Sequence, residues 1–260
     1  MSMRKLAMIT GASSGIGGEI ATLAAADGYD LILAADEPCV DAAAGLRAEG
    51  IEIQCVVADL ATAAGVEKLL ACASGRAVDV LVANAGHGLG RGFLDQDAEQ
   101  WRHVIDTNIT GTLLLLQPVL KQMVARGEGR VLITGSIAGH LAGSFQAVYN
   151  GTKAFIDSFA AAIGNELQDT GVTITCLKPG ATDTNFFARA GMLDTKVGQA
   201  KKDDPADVAV TGWEAMKAGE HAVVHGLKNK AQVLAAGVLS EAATAAMHRK
   251  QAEPGSGNSD

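Results

Sequence analysis

Tyr149 and Lys153 lie four residues apart in the stretch SFQAVYNGTKAF, in a chain that has only two tyrosines. The stretch reads as a helix, and one helical turn puts both side chains on the same face. A free tyrosine hydroxyl, with a pKa of about 10, is a poor base at neutral pH. An ammonium group one turn away would stabilise the phenolate and lower that value. The pair could therefore move a proton. Taken alone it also fits two ordinary residues on an amphipathic helix, so its meaning depends on its surroundings.

A second chemical signal opens the chain. In ITGASSGIGGEIA, Gly11, Gly15 and Gly17 keep side chains away from a turn between an apolar run and a helical pattern. The free N–H groups and positive dipole end of the helix that follows suit a pyrophosphate. Such glycines also serve tight helix–strand packing; the strand–turn–helix context favours nucleotide binding.

The elements that must carry these residues alternate. KLAMI, DLILAA, IEIQCVV, VDVLVA, GRVLITG and VTITCLKPG read as strands. Helical patterns cover 15–27, 40–49, 62–73, 97–105, 108–126 and 148–168; the remainder is mainly helical, with a short strand at AVVHG. Strands this uniformly apolar are buried on both faces, so the expected fold is α/β: a doubly wound parallel sheet with helices on both faces. Pro118 should kink or split its helix near residue 114. Asp204 and Pro205 mark a capped helix start. One domain is expected over 1–252, with 253–260 (EPGSGNSD) a disordered tail.

The totals exclude several classes. With 260 residues and 48% hydrophobic content, the chain can bury a single large core. A net charge of −8 and the lack of a long basic run argue against nucleic acid. No apolar run is long enough to span a bilayer, and MSMRKLAMIT reads as a first strand rather than a signal peptide. The four scattered cysteines (Cys39, Cys55, Cys72, Cys176) read as reduced, mostly buried thiols of a cytoplasmic protein. His87 and His140 read as surface or hydrogen-bonded histidines with an option of lining a pocket. His221 and His225 share a face without a third ligand, so no metal is expected.

The glycine spacing is TGxxxGIG, on Thr10, Gly11, Gly15, Ile16 and Gly17. Further motifs follow in order: ADL (Asp59, Leu60), ANAG (Asn84, Ala85, Gly86), DTNITG (Asn108), ITGSIAG (Ser136), YNGTK (Tyr149, Lys153) and KPGATDT (Pro179, Gly180, Thr182, Thr184). This ordered set resembles the short-chain dehydrogenase/reductase family over roughly residues 5–185, with Ala83 where the family often has asparagine. The resemblance implies a Rossmann fold that binds NAD(P). The turn with Ser13, Ser14 and Ile16 would hold the pyrophosphate, Asp59 and Leu60 would lie beside the adenine, and the 179–184 segment would hold the nicotinamide carboxamide. It further implies Tyr149 as proton-transfer group and Lys153 as the residue that lowers its pKa and binds the nicotinamide ribose. Ser136 would position the substrate oxygen and Asn108 would relay protons through water. Gly151, which costs about 1 kcal/mol against alanine inside a helix, would leave room for the cofactor or a neighbouring loop.

The end of the second strand, LILAADEP, bears on the cofactor. Asp36 and Glu37 would repel a 2′-phosphate and an acid can bind the ribose hydroxyls, which favours NAD, with NADP the alternative. Arg47 is the nearest arginine downstream. The pocket is expected from residues 87–94, 138–146 and 184–202, where Leu141, Phe145, Phe186, Phe187, Met192 and Leu193 suggest a largely apolar alcohol or ketone substrate. KVGQAKKDD reads as a solvated loop. The broad apolar faces of 108–126 and 148–168 suggest a homodimer or homotetramer. A dinucleotide-binding regulatory protein without turnover is the reading from another class.

Overall fold

Strand β1 (Leu6–Thr10) is buried at every position, and its alternate residues feed two different cores. Leu6 and Met8 join Leu81, Val131 and Ile174 on one face of the sheet. Ala7 and Ile9 join Leu33, Val82 and Leu132 on the other. This is the period-two consequence of a strand covered on both sides. The computed structural model describes residues 4–46, 50–73 and 75–258, and its seven parallel strands lie in the order β3-β2-β1-β4-β5-β6-β7. The others are β2 (Asp30–Ala35), β3 (Ile53–Val57), β4 (Val80–Ala83), β5 (Gly129–Thr134), β6 (Val172–Lys178) and β7 (Ala222–Val224).

Helices α3 (Ala63–Ala71), α5 (Thr112–Arg126) and α6 (Ala147–Glu166) cover the first face, where Leu69, Leu116, Met123 and Ile156 are buried. Helices α1 (Gly15–Ala26), α2 (Val40–Leu46) and α9 (Pro205–Ala218) cover the second, around the buried Trp213. The Trp213 indole N–H is satisfied by Asp27 at 2.9 Å. The expected cap of α9 is present: Pro205 is its first residue and the Asp204 carboxylate accepts the Ala206 N–H at 2.8 Å. The strand order reverses between β1 and β4, so the crevice at their C-terminal ends is the position where such sheets bind ligands.

Pro118 does not split its helix. Helix α4 (Ala98–Ile105) runs into a π-helical turn over Asp106–Gly111 and on into α5 with Pro118 inside it. Leu114, whose carbonyl loses its partner to the proline, is 43% exposed, so water can replace the missing bond. The irregularity falls earlier, where Gly111 packs against the Leu60 carbonyl too closely for any side chain.

The C-terminal part adds short helices α7 (Phe186–Arg189) and α8 (Lys196–Gln199) after β6, then α10 (Leu227–Ala236) and α11 (Glu241–Ala252) after β7. Residues 255–257 of the expected disordered tail make specific contacts, and residues 259–260 lie outside the described residues. The Gly255 and Gly257 amides donate to Asp194 at 3.0 and 2.9 Å, and the Ser256 hydroxyl accepts from the Lys196 amide at 3.1 Å. Composition hid these contacts because each is donated by a backbone amide, which every residue type but proline carries. The four cysteines are free thiols; Cys39 and Cys176 are buried, whereas Cys55 is exposed. Among the described residues, no helix is long and apolar enough to cross a membrane.

Candidate active site

A cleft of about 760 Å³ opens at the reversal point. Its floor is the turn between β1 and α1. Gly11 and Gly15 adopt left-handed φ of 64° and 58°, which favour glycine. Helix α1 begins without a side-chain cap and without an acid in its first turn, which leaves its N-terminal donors to an anion. Gly11, Ser13, Ser14, Gly15 and Ile16 line the cleft. Gly17 does not: it lies beneath the turn, where any Cβ would overlap the Gly11 carbonyl. Its role is packing. The Ser13 hydroxyl donates to Glu37 at 2.9 Å. A close-walled glycine turn with an uncapped helix start and open space in front of it fits a dinucleotide pyrophosphate.

At the ends of β2 and β3, Asp36, Asp59 and Leu60 line the same cleft. Asp36 carries a partner that sequence reasoning missed. The Arg189 guanidinium, from α7, forms an ion pair with it, and His87 Nε2 lies 3.5 Å from the same carboxylate. Burial alone would raise the Asp36 pKa; the hydrogen bond and charge of Arg189 outweigh it and hold the carboxyl below its ordinary value. Burial and the Arg189 charge push His87 down, towards the neutral form. Arg47 lies outside the described residues.

Asn84, Ala85 and Gly86 follow β4 and line the cleft, but the Asn84 side chain is spent on tying strands together. It donates to the Thr10 carbonyl at 3.0 Å and accepts from the Thr134 hydroxyl at 3.0 Å. Asn108, in the π-helical turn, is buried behind the cleft rather than lining it. Its side chain accepts from the His87 amide at 2.8 Å and donates to the His87 carbonyl and to Thr152 at 2.9 and 3.0 Å. Asn108 therefore fixes the loop after β4. Gly86 separates it from Lys153: a Cβ there would meet Asn108 Oδ1 at 3.2 Å and Lys153 Nζ at 3.6 Å.

Ser136 follows β5, and Tyr149 and Lys153 open α6; all three are buried and line the cleft. The Ser136 hydroxyl accepts from the Ala138 amide at 3.1 Å and faces the Pro179 carbonyl at 3.4 Å. Burial pushes the Tyr149 phenol up to about 12, against a hydrogen bond from Ser136 that lowers it. The expected depression by Lys153 is not the dominant effect. Lys153 Nζ donates to the Thr134 carbonyl at 2.8 Å and lies 5.9 Å from the Tyr149 ring centre. Its own pKa is lowered by burial, with Asp157 opposing.

Asp157 extends the Tyr149–Lys153 face by one more turn. It is 7% exposed, takes the Cys176 thiol at 3.4 Å on one oxygen, and has Lys178 and His140 within 3.4 and 3.5 Å of the other. A Cβ on Gly135 would overlap it, so the residue before Ser136 must be glycine-sized. Both His140 neighbours are on this cluster, and burial lowers the His140 pKa. Gly151 faces open solvent, and a Cβ added there would meet nothing within 4 Å, so the expected close approach is absent.

Pro179, Gly180, Thr182 and Thr184 form the cleft wall that begins beside Ser136. A Cβ on Gly15 would come within 2.8 Å of the Thr184 methyl, so this wall closes onto the glycine turn. The Thr182 hydroxyl is bonded back to the Gly180 carbonyl at 3.2 Å. Of the expected pocket residues, Leu141, Phe186 and Phe187 line the cleft, and the Phe186 ring stands 5.1 Å from that of Tyr149. Met192 is buried in a small cluster with Phe187, Phe145 packs on that cluster, and Leu193 is exposed. Residues of α10 and α11 complete the cleft; their helical periodicity gave no hint of where they dock. No cluster of potential metal ligands occurs among the described residues.

Residues 5–192 match the short chain dehydrogenase family, and the chain belongs to that family of oxidoreductases. It is 31% identical over 225 residues to an uncharacterized oxidoreductase of Staphylococcus aureus strain MW2, covering 85% of this chain and 94% of that protein. A counterpart in Staphylococcus saprophyticus is 30% identical over 226 residues, with the same coverage. Among solved structures, the short-chain dehydrogenase from Sphingobium yanoikuyae in complex with NADPH superposes with a TM-score of 0.80 at 27% identity, over 92% of this chain and 97% of that one.

Proposed function

We propose that this chain transfers a hydride between a nicotinamide dinucleotide, NAD in preference to NADP, and a largely apolar secondary alcohol or ketone. The observation that carries the reading is that Ser136, Tyr149 and Lys153 line one cleft with the glycine turn and the uncapped start of α1. The bound cofactor supplies the hydride. Ser136 holds the substrate oxygen, and Tyr149, neutral at physiological pH, donates its proton to that oxygen during reduction. The Lys153 charge steadies the phenolate left behind. Asn108 holds the loop after β4 and serves as the buried start of a water-borne proton path. Asp36 supports NAD because it stands on the cleft wall at the end of β2. Arg189 beside it, together with the NADPH-bound relative, supports NADP as the second reading. The outward faces of α5 and α6 leave Leu114, Val124 and Phe155 exposed, which supports a homodimer or homotetramer. A panel of ketones and secondary alcohols, followed by nicotinamide absorbance with each cofactor, tests the reading; no turnover with either cofactor would refute it.

A further inference from the structure

Resting on that reading, the walls of the substrate half narrow the substrate class. Helix α10 packs on the turn that follows Ser136, and α11 packs on α8 and hydrogen-bonds the 142–144 loop, with Ser144 donating to the Ala245 carbonyl at 3.0 Å. These helices therefore face the reacting end rather than the glycine turn. They bring Lys228 and Lys250 to the cleft, and the segment after α8 brings Lys201. The three lysines come from three separate elements and line the same cleft.

None of the three has a hydrogen bond or an acid partner among the described residues, although the chain carries 29 acids against 21 lysines and arginines. Their neighbour Lys202 shows the contrast: it donates to the Gly198 carbonyl at 2.7 Å and lies over the Phe187 ring. Among the described residues, the only acids lining the cleft are Asp36 and Asp59, both at the ends of β2 and β3. The substrate half is thus cationic at its rim. The same half of the cleft carries the apolar side chains of Leu141, Phe186, Leu239 and Met247, with the polar Gln232, Thr244 and His248 among them.

We infer that the substrate is amphipathic and anionic: its carbonyl lies at Ser136 and Tyr149, an apolar body follows, and an oxyanion, carboxylate or phosphate ester, is held by Lys201, Lys228 and Lys250. Lysines act as point charges and accept either oxyanion. The attraction across a solvent-facing rim should weaken with salt.

The test compares, on the full chain, a medium-chain oxo carboxylic acid, its methyl ester, and the phosphate monoester of the corresponding hydroxyketone. The expected result is a kcat/KM at least tenfold higher for one of the anionic ketones than for the ester, carried by KM. That advantage should shrink as salt rises from about 0.05 to about 0.5 M. The Lys228→Gln/Lys250→Gln double variant should erase most of the difference while the cofactor Kd stays within twofold. Whichever anion is preferred identifies the headgroup. Equal kcat/KM for ester and anions overturns the inference and leaves the oxidoreductase reading standing. A cofactor Kd raised tenfold in the double variant overturns it too, by assigning the lysines to the cofactor phosphates. No turnover of any of the ketones, charged or neutral, with either cofactor overturns the reading beneath it and this inference with it.

Discussion

Arg189 and Asp36, 153 residues apart in sequence, form an ion pair that links the end of β2 to the short helix after β6 across the cleft. The same carboxylate would meet the adenosine ribose in the NAD reading. In that reading the pair would couple cofactor choice to the position of the segment that carries Phe186.

Replacing Asp36 by alanine should cost NADH binding about tenfold, in line with about 1.5 kcal/mol for hydrogen bonds to a charged group. It also releases Arg189 for a 2′-phosphate. The ratio of NADPH to NADH Kd, read by nicotinamide fluorescence titration, should fall at least tenfold. An unchanged ratio would remove Asp36 as the determinant.

The pH profile follows from Tyr149. Because burial raises its phenol to about 12, the proton needed for ketone reduction stays in place through neutral and mildly alkaline pH. Initial reduction rates should be level there and fall only as the phenol ionises. Asp157 raises the pKa of both Tyr149 and Lys153. Asp157→Asn should therefore move the alkaline limb to lower pH. A limb that stays put or moves upward would show that Asp157 acts only as a structural anchor for Lys178 and Cys176.

Asp30 gives a stability prediction remote from the cleft. Burial would raise its pKa, but the Glu52 amide at 2.9 Å and Arg76 at 2.7 Å lower it overall. A folded-state pKa below the unfolded value of about 3.9 gives stability that is present above that value and is lost as pH falls through the folded one. Asp30→Asn should cost about 2 kcal/mol at neutral pH in urea unfolding. The gap between variant and parent should close in acid. A gap independent of pH would argue against the charge as its source.

Phe155 is 40% exposed on α6 and stacks on Phe159 at 6.1 Å. If the α5 and α6 faces join copies of the chain, light scattering of the parent should give a dimer or tetramer at micromolar concentration. Phe155→Glu should lower the mass. A monomeric parent would contradict the assembly.

The strands and the residues just after them were legible because each carries its information locally. Uniform burial marks the β1, β2 and β4 runs, Asn84 and Gly11 sit immediately beyond strand ends, and Ser136 sits one residue further on after β5. Tyr149 and Lys153 were legible as a one-turn pair. Asp157, one turn further on the same face, is not legible in the sequence because a lone acid on a helix usually faces water. Its burial depends on Gly135, whose lack of a side chain makes the space. Arg189 and the lysines of the rim were illegible for a different reason. Lys201, Lys228 and Lys250 are spread over fifty residues that include the core helix α9, and only the docking of α10 and α11 brings them to one cleft. Gly151 misled in the opposite direction: its place between Tyr149 and Lys153 suggested a close neighbour, yet it points to solvent.

The central claim is that Tyr149 supplies the proton in a cleft built for a nicotinamide dinucleotide. It is tested most directly by single-turnover absorbance of Tyr149→Phe with reduced cofactor and a ketone that the parent reduces. The account predicts that hydride transfer slows by about a thousandfold, within the usual range for a lost general acid, while the cofactor Kd changes less than threefold. A variant that keeps more than a tenth of the parent rate would contradict it.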